Sequence, residues 1–205
     1  MTGVIDYGVG NLFSLMSSLK AVGEQAELSA DPSVLRACDR IILPGVGAFR
    51  AAMDKLKEKK LDAFVKDYAA TGKSVMGICL GMQLLFDKSY EFGVTDGLGL
   101  IRGEVLPLED ALKEKGFDYK VPHMGWNSLR AATPCRLLAG VEPTAEFYFV
   151  HGYYVEPDPA LVIATTVYGR EFCSLYGRDG LWAAQFHPEK SGNVGLKILK
   201  AFCAL

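Results

Sequence analysis

The sequence predicts an α/β fold: a mainly parallel central sheet flanked by helices on both faces, with an antiparallel region added in the C-terminal half. Three observations lead there. Through residues 1–86 short apolar runs alternate with helical patterns, the order that builds a parallel sheet. Runs such as RIIL (40–43) and SVMGI (74–78) are apolar at consecutive positions, as strands covered on both faces require. From residue 100 onward strand-like segments follow one another closely, which suits antiparallel pairing.

Taken in order, TGVIDY (2–7) reads as a strand that Gly8 and Gly10 break. Asn11 stands at an N-cap, and Leu12, Leu15, Met16 and Leu19 repeat at helical spacing until Gly23. A short strand near 26–28 follows. Asp31-Pro32 then opens a helix through Ala37, with Asp at the cap and Pro in the first turn. The strand at 40–43 ends at Pro44-Gly45; helices cover 48–59 and 61–70, and Gly72 stops the second. The strand at 74–78 runs into a helix over 80–86. Later strands fall near 100–106, 126–129, 147–155, 162–167 and 172–176, and Arg178-Asp179-Gly180 turns the chain into a strand at 181–186. The last helix, 191–204, carries Val194, Ile198, Leu199 and Phe202 on one stripe. The polar stretch 108–120 reads as a surface insertion. With no linker, repeat or low-complexity run, residues 1–205 form one expected domain.

Composition removes several function classes. Half of the 205 residues are hydrophobic and 22% are charged, ordinary for a soluble enzyme. A net charge of -2 gives no global attraction for nucleic acid or an anionic membrane. No run approaches the roughly 18 apolar residues of a membrane span, and the first residues lack the pattern of a signal peptide. Five scattered cysteines without a CxxC pair suggest reduced thiols in a cytoplasm. Three histidines without clustered cysteines give no zinc pattern, so neither metal nor cofactor is expected.

The chemistry lies in two motifs. Gly77-Ile78-Cys79-Leu80-Gly81 stands between a buried strand and a helix and matches the G-x-S-x-G nucleophile elbow with Cys for Ser. Glycines two positions to either side remove side chains that would strike neighbouring backbone. The thiol falls at a helix N-terminus, which favours thiolate. The bland alternative, a small buried hydrophobe, is kept for Cys38, Cys135, Cys173 and Cys203. His187 heads His187-Pro188-Glu189 directly after a strand. Proline keeps the residue before it extended, and positions i and i+2 of extended chain point the same way, which puts Glu189 beside the imidazole as its orienter. His151 sits among aromatics as a core histidine, and His123 is expected at a surface or interface; neither has an acidic residue two positions on.

With these motifs in place, the chain resembles the class I (triad) glutamine amidotransferases, and among them the glutaminase subunits of histidine biosynthesis. The resemblance rests on IDYGVGNLFS (5–14), ILPGVGAF (42–49), GICLGMQLLF (77–86), GLGLIRGEV (97–105), VPHMGWN (121–127), FYFVHGYYV (147–155) and QFHPEKSG (185–192). It implies glutamine as substrate, Cys79, His187 and Glu189 as the triad, and a γ-glutamyl thioester intermediate. It further implies an oxyanion site from Leu80 and the loop holding Val46 and Gly47, and glutamine positioning by Gln83. Without the family match Gln83 reads as a solvent-facing helix residue. The resemblance also assigns a partner, a (β/α)8-barrel cyclase subunit forming a heterodimer. Asn11, Met124, Trp126, Tyr148 and Lys190 match positions near the contact surface or ammonia route; Met124 and Trp126 have packed core as their alternative. Gly152, Gly192-Asn193 and the 108–120 stretch depart from the family pattern without touching the triad. A subunit serving another synthase, a docking module without activity and a cysteine peptidase are the competing readings.

Overall fold

The computed structural model describes residues 1–114, 116 and 118–205. The first half alternates strand and helix. It runs β1 (Thr2–Ile5), α1 (Leu12–Ala21), β2 (Ala26–Ser29), α2 (Pro32–Arg36), β3 (Arg40–Leu43), α3 (Phe49–Glu58), α4 (Leu61–Ala70), β4 (Ser74–Ile78) and α5 (Leu80–Leu84). Asp31 caps α2 through Ser33 N–H, and Gly23 and Gly72 end their helices with φ of 81°. Strands β1, β2, β3 and β4 pair in parallel.

The second half adds β5 (Phe86–Ser89), β6 (Thr95–Asp96), β7 (Ile101–Pro107), α6 (Leu108–Glu114), β8 (His123–Ser128) and β9 (Arg130–Ala131). It continues with β10 (Glu146–His151), β11 (Tyr153–Pro157), β12 (Val162–Tyr168), β13 (Arg170–Arg178), β14 (Leu181–Ala184) and α7 (Gly192–Cys203). The main sheet is ordered β2-β1-β3-β4-β14-β13-β12-β9. The last strand of the chain, β14, pairs parallel to β4 and antiparallel to β13, so the sheet changes character there. Two smaller sheets, β11-β7-β5-β6 and β10-β8, complete the fold.

Consecutive strand residues feed opposite cores. Ile5, Ile41, Leu43, Val75 and Ala183 join one cluster with α3 and α4. Their neighbours Val4, Ile42, Met76 and Ala184 join the other with α1 and α7. Side chains alternate across a strand, so a strand with a core on each side must be apolar at every position. That is why RIIL and SVMGI carry no polar/apolar alternation.

Several expectations need correction. The helix after the elbow stops at Leu84, and Phe86 begins β5. The run 147–155 is two strands divided at Gly152, because β10 pairs with β8 while β11 pairs with β7. The stretch 108–120 begins as α6, with Leu108, Ala111 and Leu112 buried, so its first half is part of the packing; Lys115 and Phe117 lie outside the described residues. Asn11 holds the N-cap position of α1 without a side-chain cap bond. Among the described residues no helix is long and apolar enough to cross a membrane.

Candidate active site

Three adjacent parallel strands, β3, β4 and β14, end side by side, and each delivers one part of the site. From β4 the chain turns sharply through Cys79, which takes φ 54° and ψ -110°. A non-glycine residue in such a conformation stores on the order of 1–3 kcal/mol, and its surroundings must hold it there. Cys79 N–H donates to Ala184 O at 2.7 Å, tying the elbow to β14. A Cβ on Gly77 would stand 2.7 Å from Gly81 C and Met82 N, and one on Gly81 would stand 2.8 Å from Leu43 C. Both elbow glycines are sterically required, as the motif predicts.

From β14 comes the histidine expected as base. His187 is extended (φ -97°, ψ 97°) ahead of Pro188, and its Nδ1 contacts Glu189 Oε1 at 2.8 Å with both side chains buried. The route differs from expectation: residues Pro188–Lys190 form a 3-10 turn, not extended chain, and that turn swings Glu189 back beneath the ring. Strand β10 clamps this corner. His187 N–H donates to Tyr148 O at 2.9 Å, Tyr148 N–H to Ser191 Oγ at 3.0 Å, and Ser191 O–H to His187 O at 2.6 Å. The other ring nitrogen, Nε2, is buried without a hydrogen-bond partner among the described residues, as is Glu189 Oε2. Burial works against an imidazolium here, yet the adjacent Cys79 and then Glu189 outweigh it and hold His187 at about 10.

From β3 comes the loop 44–47. Pro44 O accepts from the buried Tyr7 hydroxyl at 2.8 Å. A Cβ at Gly45 would lie 2.7 Å from Gly81 N and 2.9 Å from Tyr7 Oη, so the loop is wedged against the elbow helix. Beyond that wedge Val46 is exposed, and Gly47 takes φ 93° with open space around it. The loop is thus fixed at one end and free at the other.

Val46, Gly47, Cys79, Leu80, Gln83 and His187 line a single cleft of about 240 Å³. Gln83 is buried, not solvent-facing: its Nε2 donates to Tyr153 O and to Gln185 Oε1, both at 3.1 Å. Among the side chains not foreseen, three bear on the site, one against the sulfur and two on the cleft wall. Gln185, fully buried, reaches Cys79 Sγ with Nε2 at 3.7 Å; it sits in the QFHPE run, two positions before the base, which was its one available signal. Glu91 lines the cleft while its carboxylate accepts Phe49 N–H at the start of α3; no spacing marked it. His151 also lines the cleft, from β10.

The predicted contact residues separate into two places. Met124 and Trp126 are 63% and 52% exposed, which excludes the packed-core alternative. Across the β8–β10 register Trp126 faces Tyr148, with ring centroids 5.9 Å apart, and Lys190 Nζ stands 5.6 Å from the Tyr148 ring. These four share one face just outside the cleft. Asn11 instead lines a narrow crevice behind the triad with Leu15, Pro44, His187 and Glu189. His123, expected at a surface, is 2% exposed and stacked between Phe149 and Tyr168. Period-two alternation along β8 puts it on the face opposite Met124 and Trp126.

Against known proteins, the family described as glutamine amidotransferase class-I matches residues 3–204. The imidazole glycerol phosphate synthase subunit HisH of Desulfovibrio desulfuricans is 51% identical over 203 residues, covering 98% of this chain and 93% of that protein. The HisH subunit of Geobacillus kaustophilus is 48% identical, with 100% and 97% covered. In fold, a solved glutamine amidotransferase superposes with a TM-score of 0.75 at 18% identity, covering 100% of this chain and 99% of that one. PurLQS from Thermotoga maritima gives 0.74 at 19%, covering 98% and 96%.

Proposed function

The chain belongs to the class-I glutamine amidotransferases, and within them to the HisH subunits of imidazole glycerol phosphate synthase; from that premise we propose that it hydrolyses glutamine through Cys79, His187 and Glu189. The observation that carries this reading is the shared cleft, in which the elbow sulfur and the Glu189-paired imidazole lie together.

In the proposed first half-reaction, the Cys79 thiolate attacks the side-chain carboxamide carbon. A C–S bond forms and the carbonyl π pair moves to oxygen. The oxyanion is met by the backbone N–H of Leu80 and one from loop 44–47, each such donor being worth about 2.7–4 kcal/mol. Collapse breaks the C–N bond, and the proton on His187 Nε2 goes to the departing nitrogen as ammonia leaves. Water then attacks the thioester and gives its proton to Nε2. The C–S bond breaks, its electron pair returns to sulfur, and glutamate departs. Glu189 holds the ring's tautomer throughout.

Recognition of the amino-acid end falls to Gln83 and Glu91. The Gln83 amino group is committed to Tyr153 O and Gln185 Oε1, which leaves its Oε1 to accept from substrate N–H. Glu91 is a carboxylate lining the cleft outside the triad and suits the α-ammonium of an amino acid.

As a synthase subunit the chain works with a partner, which we take to be the (β/α)8-barrel cyclase, paired as a heterodimer in the cytoplasm. Ammonia passes to it for synthesis of imidazole glycerol phosphate and the aminoimidazole carboxamide ribonucleotide. The half-free loop 44–47 supports control by that partner, because turning one peptide plane would supply or remove an oxyanion donor. Residues 1–205 act as one domain. The test is glutamate release by the chain mixed with the cyclase and by Cys79→Ser. Wild-type release with no loss in the variant would refute the triad, and equal rates with and without the cyclase would refute partner control.

A further inference from the structure

Besides His187, the nucleophile has two polar neighbours: Val150 O, which accepts from Sγ at 3.7 Å, and Gln185, whose orientation is dictated from a distance. Tyr153 O can only accept hydrogen bonds. It takes one from Gln83 Nε2 at 3.1 Å and one from His151 Nδ1 at 2.8 Å. The Gln83 amide is thereby fixed with its amino group toward Tyr153 O, and that same amino group donates to Gln185 Oε1 at 3.1 Å. Flipping either amide would set two acceptors or two donors against each other. With its oxygen used, Gln185 presents N–H to Cys79 Sγ at 3.7 Å.

The histidine side of the chain has the same polarity. Burial keeps His151 neutral, at about 3, so a ring whose Nδ1 donates must accept at Nε2. The donor there is His123 Nδ1, at 3.1 Å. His123 is likewise neutral by burial, at about 4, and its Nε2 accepts from Asn127 Nδ2 at 3.4 Å. That amino group also donates to Val167 O at 2.9 Å. The two arms meet at Tyr153 O: the histidine arm ends there, and only the amide arm runs on through Gln83 and Gln185 to the sulfur.

We propose that Gln185 is a catalytic residue whose side-chain N–H donates to Cys79 Sγ, favouring the thiolate and holding it toward the substrate carbon. This rests on the glutaminase reading above. A donor gains more from an anionic sulfur than from a neutral thiol. It also acts twice in each turnover: before attack, and again when the C–S bond of the thioester breaks and the electron pair returns to sulfur. Gln83 is a positioning residue for this contact, since its bonds to Tyr153 O and Gln185 Oε1 leave the Gln185 amide one orientation.

The test reads the sulfur directly. Alkylation of Cys79 by iodoacetamide is followed against pH by peptide mass spectrometry, which separates Cys79 from the other four thiols. The titratable groups facing the sulfur are Tyr7, in the turn after β1, and His187 from the β14 corner; Glu189 lies behind His187, and His151 and Glu91 are on the cleft wall. All are retained in Gln185→Met and Gln185→Glu, which remove the donor while keeping the side chain's length. Both are expected to move the alkylation profile to higher pH and to slow alkylation near neutrality about tenfold, the low end for a hydrogen bond to a charged group. In the assembled synthase kcat falls with little change in KM. Folded variants with the wild-type profile overturn the proposal.

A second measurement needs no Gln185 variant. In the wild-type chain the Gln185 side-chain amide protons should shift with pH as Cys79 titrates, and Cys79→Ala should abolish that shift; an amide indifferent to Cys79 overturns the proposal. Failure of glutamate release by the wild-type complex would instead count against the glutaminase reading, so the two failures are distinguishable.

Discussion

Replacing Gly81 with alanine tests whether the elbow and the oxyanion loop are one mechanical unit. The added methyl would stand 2.8 Å from Leu43 C and 3.2 Å from Pro44 C, with Leu43 O nearer still. Carbon–carbon contact is comfortable at roughly 3.5 Å and carbon–oxygen contact only slightly closer, and Leu43 O would stand far inside that limit, so the end of β3 or the start of α5 must retreat by more than about 1 Å. Neither can do so alone. Strand β3 is hydrogen-bonded between β1 and β4, and the elbow is tied to β14 through Cys79 N–H. Overpacking of this kind costs about 1–3 kcal/mol, equivalent to a fall in Tm of roughly 2–4 °C per kcal/mol at this size. The catalytic loss should be larger. Residues 44–47 continue directly from the displaced carbonyl, and a misplacement near 1 Å costs on the order of 10² in rate. The expected result is a folded protein with a lowered Tm and about 100-fold lower glutamate release in the presence of the synthase partner. Gly72→Ala is the control: φ is 81° with no atom within 4 Å, so it should lose about 1 kcal/mol and keep its activity. A Gly81→Ala protein with wild-type turnover would refute the coupling, as would equal losses of activity in the two variants.

Three further outcomes follow from contacts described above. Tyr7→Phe removes the donor to Pro44 O and leaves a buried carbonyl unpaired; stability should fall by about 1–3 kcal/mol by thermal melt, with reduced turnover as the loop's anchored end loosens. Trp126→Ala acts on a half-exposed ring outside the cleft. The free chain should keep its stability within about 0.5 kcal/mol, while calorimetric titration with the proposed synthase partner should show affinity lowered tenfold or more. The third outcome concerns acid. His123 at about 4 and His151 at about 3 are held neutral chiefly by burial, below the ordinary value near 6.5. Their contribution is fully present above pH 6.5 and is lost as pH falls toward 4 and then 3, because the unfolded chain takes up protons first. Each should steepen the decline by up to about 1.4 kcal/mol per pH unit. Denaturation midpoints measured from pH 7 to pH 4 should fall accordingly, and His123→Phe should flatten the slope; a flat wild-type curve would contradict this.

The parts of this fold that sequence reveals are those set by local chemistry. Uncharged strands, the Asp31 cap and the glycine stops were legible because each depends on its own residues and a few neighbours. The placement of Cys79 at a sharp turn and of His187 beside Glu189 was legible because steric need fixes Gly77 and Gly81, and the pre-proline position keeps His187 extended. Legibility ended where partners are distant in the chain. Phe86 continues an apolar helical pattern, yet pairing with Ile101 makes it a strand. Residues 147–155 look like one strand, and only the two different neighbours divide them at Gly152. His123 showed no sign of burial, since its stacking partners Phe149 and Tyr168 lie 26 and 45 positions away. Glu91 reached the cleft through a bond to a backbone N–H at Phe49, a contact that no motif encodes.

The placement of β14 next to β4 has a consequence for the protein's biogenesis. The sulfur-bearing turn is translated well before β14, the strand that restrains it through Cys79 N–H and leads into His187. On the proposed triad, a chain still emerging holds its thiol apart from the imidazole, and the two meet only when β14 inserts beside β4. A chain that fails to complete that insertion is expected to be inert as well as misfolded.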